Sequence, residues 1–153
     1  MKPSVFETRH IWCLVVFFLA SCSPVREQPD PPPFNVVSTT NELMHGLVEP
    51  LATVIFDSAV YVNGVPVGAP DTDEEWEQVI DSALSLAETG NLLMLDGHRR
   101  DQENWIRYSN DLIDSGIAAA DAARTQNIDT MLDAGSVVWE ACLACHEQYI
   151  VDD

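Results

Sequence analysis

Residues 142–146 read Cys142-Leu143-Ala144-Cys145-His146, a C-x-x-C-H run close to the C-terminus of a 153-residue chain. On a helix the two thiols and the imidazole fall at i, i+3 and i+4 and project from one face. Two sulfurs so placed can bond one edge of a haem to the backbone, and the next residue's imidazole can reach the iron as proximal ligand. A redox dithiol or half of a zinc site uses the same residue types. The first is expected beside a βαβ pattern and the second needs another Cys/His pair. The sequence contains neither, and its other cysteines, Cys13 and Cys22, lie in the N-terminal segment.

The motif must be carried by helices, because no Val/Ile/Thr-rich alternation of any length appears. Four segments have helical periodicity, so the expected fold class is all-α, an antiparallel four-helix bundle. The first covers about residues 40–61, with Ser38, Thr39 or Thr40 as cap and Leu43, Met44, Leu47, Val48, Leu51, Val54 and Ile55 as the apolar stripe. Pro50 should kink it, since its ring meets the carbonyl of Gly46. Residues 63–70 read as a loop by their Gly and Pro content. Asp71 or Thr72 opens the second helix, which buries Trp76, Val79, Ile80, Ala83, Leu84, Ala87 and Met94 and closes around Gly97. The third, about residues 102–123, has a seam of Trp105, Ser109, Leu112, Gly116, Ala119 and Ala123, small enough for close helix approach. The fourth starts after Asn127, and its seam, including Met131, Leu132, Gly135, Val138 and Trp139, ends at the C-x-x-C-H run. Gly135 and the alanines of the third helix are expected to make room for a cofactor between facing helices. Trp76 and Trp105 read as core, and Trp139, one turn before Cys142, as core or cofactor wall.

The N-terminus carries Lys2 and Arg9 and then an apolar run over residues 11–20, short for a bilayer span and of signal-sequence length. Leu19-Ala20-Ser21-Cys22 resembles a bacterial lipobox, which makes residues 1–21 a lipoprotein signal peptide and Cys22 the lipidated first residue of the mature chain. Residues 22–37 are a linker with Pro24, Pro29, Pro31, Pro32 and Pro33, expected to be extended at about 3.1 Å per residue. The helical domain then occupies residues 38–153. Losing residues 1–21 removes two of seven basic and one of 25 acidic residues, leaving five arginines, no lysine and a formal charge of about −19. Such a field repels nucleic acid and favours encounter with a basic protein, although a solubilising or salt-adapted surface has the same composition and acidity alone names no partner. There is no Gly-rich phosphate loop, no nucleophile with a matched base and no H-E-x-x-H helix, so the chain does not read as an enzyme.

With the motif on the last helix of four, the chain resembles the class II c-type cytochromes, the cytochrome c′ family. His146 and Tyr149 match the family's C-x-x-C-H-x-x-Tyr pattern, while Ile150 stands where the family usually has a basic residue. The resemblance covers about residues 38–150. It implies one covalent haem c held by Cys142 and Cys145 with His146 on the iron. Glu42-Leu43-Met44-His45 is similar to low-spin members in which an early methionine is the sixth ligand, which makes Met44 the distal candidate. By stripe position alone Met44 reads as a core methionine before it reads as a ligand, and Met94, His45, His98 or an open distal site are the alternatives. Met131, on the haem helix four turns away, cannot fold back onto the iron.

The expected function is that of an electron carrier, lipid-anchored on the periplasmic side of a bacterial membrane, with a redox partner protein of basic surface. Homodimerisation is left open. The alternative is a five-coordinate haem that binds a small gas such as nitric oxide, and a third is an accessory lipoprotein of a larger redox complex.

Overall fold

A computed structural model describes residues 33–150. Residues 1–21, read from the sequence as a signal peptide, Cys22, the expected lipidation site, and the expected linker as far as residue 32 lie outside the described residues, as do residues 151–153. The described chain is all-α apart from one short hairpin.

The first bundle helix is a composite. Thr40–Leu43 is α-helical (α1), Met44–Val48 is a π-helical stretch, and Glu49–Asp57 is α-helical again (α2). Thr39 caps it in a capping box: its hydroxyl accepts from the Glu42 N–H at 3.2 Å, and the Glu42 carboxylate accepts the Thr39 N–H at 2.8 Å. The π stretch answers the clash expected at Pro50. The proline follows directly on the widened turn, where the Glu49 N–H reaches back to the Met44 carbonyl instead of making an α-type bond. A π turn rotates everything beyond it by about one residue. The buried face therefore runs Leu43, Val48, Ala52, Ile55, leaving Leu47 and Val54, assigned to the stripe from α-periodicity, exposed.

The helix ends at Asp57, short of Tyr61. In place of the expected loop, Val60–Val62 (β1) and Val65–Val67 (β2) pair antiparallel, Val60 opposite Val67. Asn63 and Gly64 turn the hairpin with φ of 53° and 78°, the left-handed geometry for which Asn-Gly is favoured. Tyr61 ties it to the bundle by donating to Asp129 at 2.5 Å.

Asp73–Leu93 (α3) starts from a second capping box, Thr72 with Glu75. Asn104–Arg124 (α4) has no side-chain cap at Glu103; instead Asp101 accepts the N–H groups of Glu103 at 2.9 Å and Trp105 at 3.0 Å. Ile128–Tyr149 (α5) is capped by Asn127, which accepts from the Thr130 N–H at 3.0 Å. All six residues of the seam expected on α4 are buried. On α3 the seam is rotated: Leu86 and Leu93 are buried and Leu84 is exposed.

Contacts across the helices fix an up-down-up-down order. A Cβ at Gly90 would touch Ser109 and Ile113, while one at Gly116 would touch Ala83 and Ala87, so α3 and α4 run antiparallel at close range. The start of α4 meets the end of α5 through Trp105 and Tyr149, ring centroids 4.9 Å apart. The first bundle helix runs against α5 with Phe56 on Trp139, centroids 6.1 Å apart. These two helices touch sparingly compared with α3 and α4. No described helix is long and apolar enough to cross a membrane.

Candidate cofactor-binding site

Where the first bundle helix and α5 stand apart, a cleft of about 450 Å³ opens, within the range of small-molecule and cofactor sites. One wall is Thr40, Met44, Val48, Ala52 and Phe56, four apart along the first helix. The opposite wall is Trp139, Cys142, Cys145, His146 and Tyr149 from α5. Buried Trp105 and exposed Arg100 complete it. A recess of about 40 Å³ continues it toward the core and shares Met44, Val48, Trp105, Cys142, Cys145 and His146. Helical spacing puts Cys142, Cys145 and His146 on one side of α5, and the bundle brings Met44 to the same cavity from across.

Cys142 and Cys145 are half-buried free thiols. Burial raises the Cys142 pKa, and burial together with the neighbouring Cys142 pushes Cys145 up to about 11. Both are thus protonated near neutral pH, unlike the activated thiol of a C-x-x-C oxidoreductase, whose pKa is depressed. Among the described residues no three His, Cys, Asp or Glu side chains converge to hold a bare metal ion. His146 is exposed on the cleft wall, its backbone carbonyl accepting from the Ile150 N–H at 2.9 Å.

The alternatives to Met44 separate by position. His98 is buried and not itself a lining residue; it sits behind the wall, its Nδ1 3.5 Å from the Thr40 hydroxyl. Met94 caps the end of α3 and is not among the lining residues. His45 does line the cleft, but it is exposed and its Nδ1 lies 2.9 Å from Glu49. Met131 is fully buried in the core. Met44 is half-buried, packed against the core and open to both cleft and recess.

Several site features lay beyond the sequence reading. Trp105, read as core, is buried and also lines the cleft, its indole N–H donating to the Leu93 carbonyl at 2.6 Å. Tyr149 donates to Asp101, so one carboxylate caps α4 and grips the last turn of α5. That contact holds the Asp101 carboxyl below its usual pKa, with the backbone N–H groups adding, while burial first and Asp101 second push Tyr149 up to about 12. Of the two readings the sequence left for Trp139, core or wall, the structure shows it exposed and on the cleft wall. The alanines of α4, expected to make room for a cofactor, do not line the cleft; they and Gly116 serve the close packing of the bundle. At Gly135 an added Cβ would meet only the Phe56 ring at 3.9 Å, and the residue faces a separate groove beside the cleft. Phe56 carried a sequence signal, the four-residue spacing from Met44, but only a helix with its face already rotated reveals it.

Compared with protein families, curated proteins and solved structures, the chain matches none.

Proposed function

We propose that the protein is a c-type cytochrome that carries single electrons. One observation carries the reading: a methionine and a C-x-x-C-H run, 98 residues apart in sequence, line one largely apolar cleft. Cleft volume, two protonated thiols on one wall and an imidazole beside them fit a covalently held haem. When bound, the iron porphyrin supplies a one-electron couple.

In this reading Cys142 and Cys145 hold the macrocycle as thioethers, and His146 is the proximal ligand. Met44 is the distal ligand, its uncharged thioether raising the reduction potential over that given by two nitrogen ligands. Trp105, Phe56 and Val48 exclude water from the site, and burial favours the less charged ferrous state. No substrate is transformed, so the protein is not an enzyme. Lipid on Cys22 would anchor it to the periplasmic side of a membrane, and the acidic surface would steer a basic redox partner and turn away nucleic acid.

The test is the absorption spectrum of protein matured in cells competent for haem ligation. The expected result is a low-spin ferric haem with a sulfur-to-iron charge-transfer band, and Met44→Ala should abolish that band while leaving the haem attached. Colourless wild-type protein at the mass of bare polypeptide plus lipid refutes the reading. A high-spin ferric spectrum that shifts with nitric oxide selects a five-coordinate gas-binding haem instead.

A further inference from the structure

The described residues include four arginines, and three have carboxylate partners. Arg99 pairs with Asp96, Arg107 with Asp111 at 3.4 Å and Arg124 with Asp121 at 2.5 Å. Arg100 pairs with no carboxylate among the described residues, in a chain whose acidic residues outnumber its basic ones 25 to 7. It is also the one arginine or lysine among the described residues that lines the cleft. The other polar residues of that lining are Thr40, Asn41, His45, Glu49, Thr53, His146 and Tyr149, and its one carboxylate, Glu49, is already engaged by His45. An anionic ligand entering so acidic a molecule meets repulsion nearly everywhere except beside such a cation.

We propose that Arg100 is a cofactor-binding residue whose guanidinium receives a carboxylate of the tetrapyrrole. The proposal rests on the haem reading of the cleft. A haem has its two carboxylates on the edge opposite the vinyl groups that form thioethers, so their partner is to be sought off the thioether-bearing helix. Arg100 meets that condition, standing in the connection between α3 and α4. A planar fork of N–H donors matches a carboxylate in geometry as well as charge. A cation there also disfavours the ferric form relative to the ferrous, so the residue acts on the potential.

Redox titration of the intact haem-loaded protein tests this. Arg100→Gln should raise the ferric-to-ferrous ratio at fixed ambient potential at least threefold, about 28 mV for a one-electron couple. Arg100→Lys, which keeps the charge, should recover most of the shift. Arg124→Gln removes the same charge far from the cleft lining and should leave the ratio within a factor of about 1.5. Equal shifts in Arg100→Gln and Arg124→Gln, or none in Arg100→Gln, overturn the assignment and leave the haem reading intact. Wild-type protein without haem overturns both.

Discussion

Replacing Gly116 by alanine places a methyl group at a close approach of α4 to α3. The new carbon would stand 2.9 Å from the Ala83 carbonyl oxygen, 2.9 Å from the Ala87 nitrogen and 3.0 Å from the Ala87 Cβ. Ordinary contact begins near 3.4 Å, and the first two obstacles are backbone atoms that no rotamer change can move aside. Relief requires the helices to part, at an overpacking cost of about 1–3 kcal/mol. Against this, Gly to Ala inside a helix gains about 1 kcal/mol. Gly135→Ala supplies the internal reference, since it makes the same exchange on α5 and meets only the Phe56 ring at 3.9 Å. The difference between the two variants isolates the steric cost, about 1–3 kcal/mol, with Gly116→Ala the less stable. Urea unfolding followed by far-ultraviolet circular dichroism should separate their midpoints by roughly 0.7–2 M, taking a slope of about 1.5 kcal/mol per molar. Equal midpoints, or a higher one for Gly116→Ala, would refute the claim that close α3–α4 packing is what this glycine serves.

Two more outcomes concern Trp105 and the Asp101–Tyr149 contact, and a third the cleft itself. Trp105→Phe removes the buried donor to the Leu93 carbonyl and should cost about 1–3 kcal/mol in urea unfolding, a loss that an unimportant bond would not produce. The Asp101 carboxyl has a lower pKa folded than unfolded, so its stabilisation is present above about pH 4 and disappears as pH falls through the folded value. Asp101→Asn should therefore be less stable than wild type at pH 7, with the gap closing in strong acid; a gap independent of pH counts against the Tyr149 link. Exchange of Met44 for Ala should remove the sulfur-to-iron band without releasing pigment from the chain, and persistence of the band would point to another ligand.

What could be read from the amino-acid order alone was local. The C-x-x-C-H spacing, the capping residues Thr72 and Asn127 and the α4 seam from Trp105 to Ala123 depend on neighbours within a few residues, where helical periodicity operates. The Asn-Gly hairpin was equally local, and its flanking valines carried a signal that the Gly and Pro content of the loop overshadowed. The composite first helix lies between these cases. Pro50 announced a disturbance, but whether it would be met by a kink or a π turn depends on how the far half packs, and that choice moved Ala52 and Phe56 toward α5 and Leu47 toward solvent.

Only tertiary structure could decide which methionine faces the motif. Met44 and Met94 are chemically alike, both within apolar periodicity, and the register between helices brings one to the cleft and leaves the other at the end of α3. The same holds for Arg100 and Asp101, adjacent residues in a connection with no motif of its own. Asp101 reaches the last turn of α5, and Arg100 the cleft, because antiparallel helices of about equal length return the chain to the end it left. Spacing along a helix is set by backbone geometry, whereas pairing between helices is set by the sum of many weak side-chain contacts, and that sum exists only in the folded bundle.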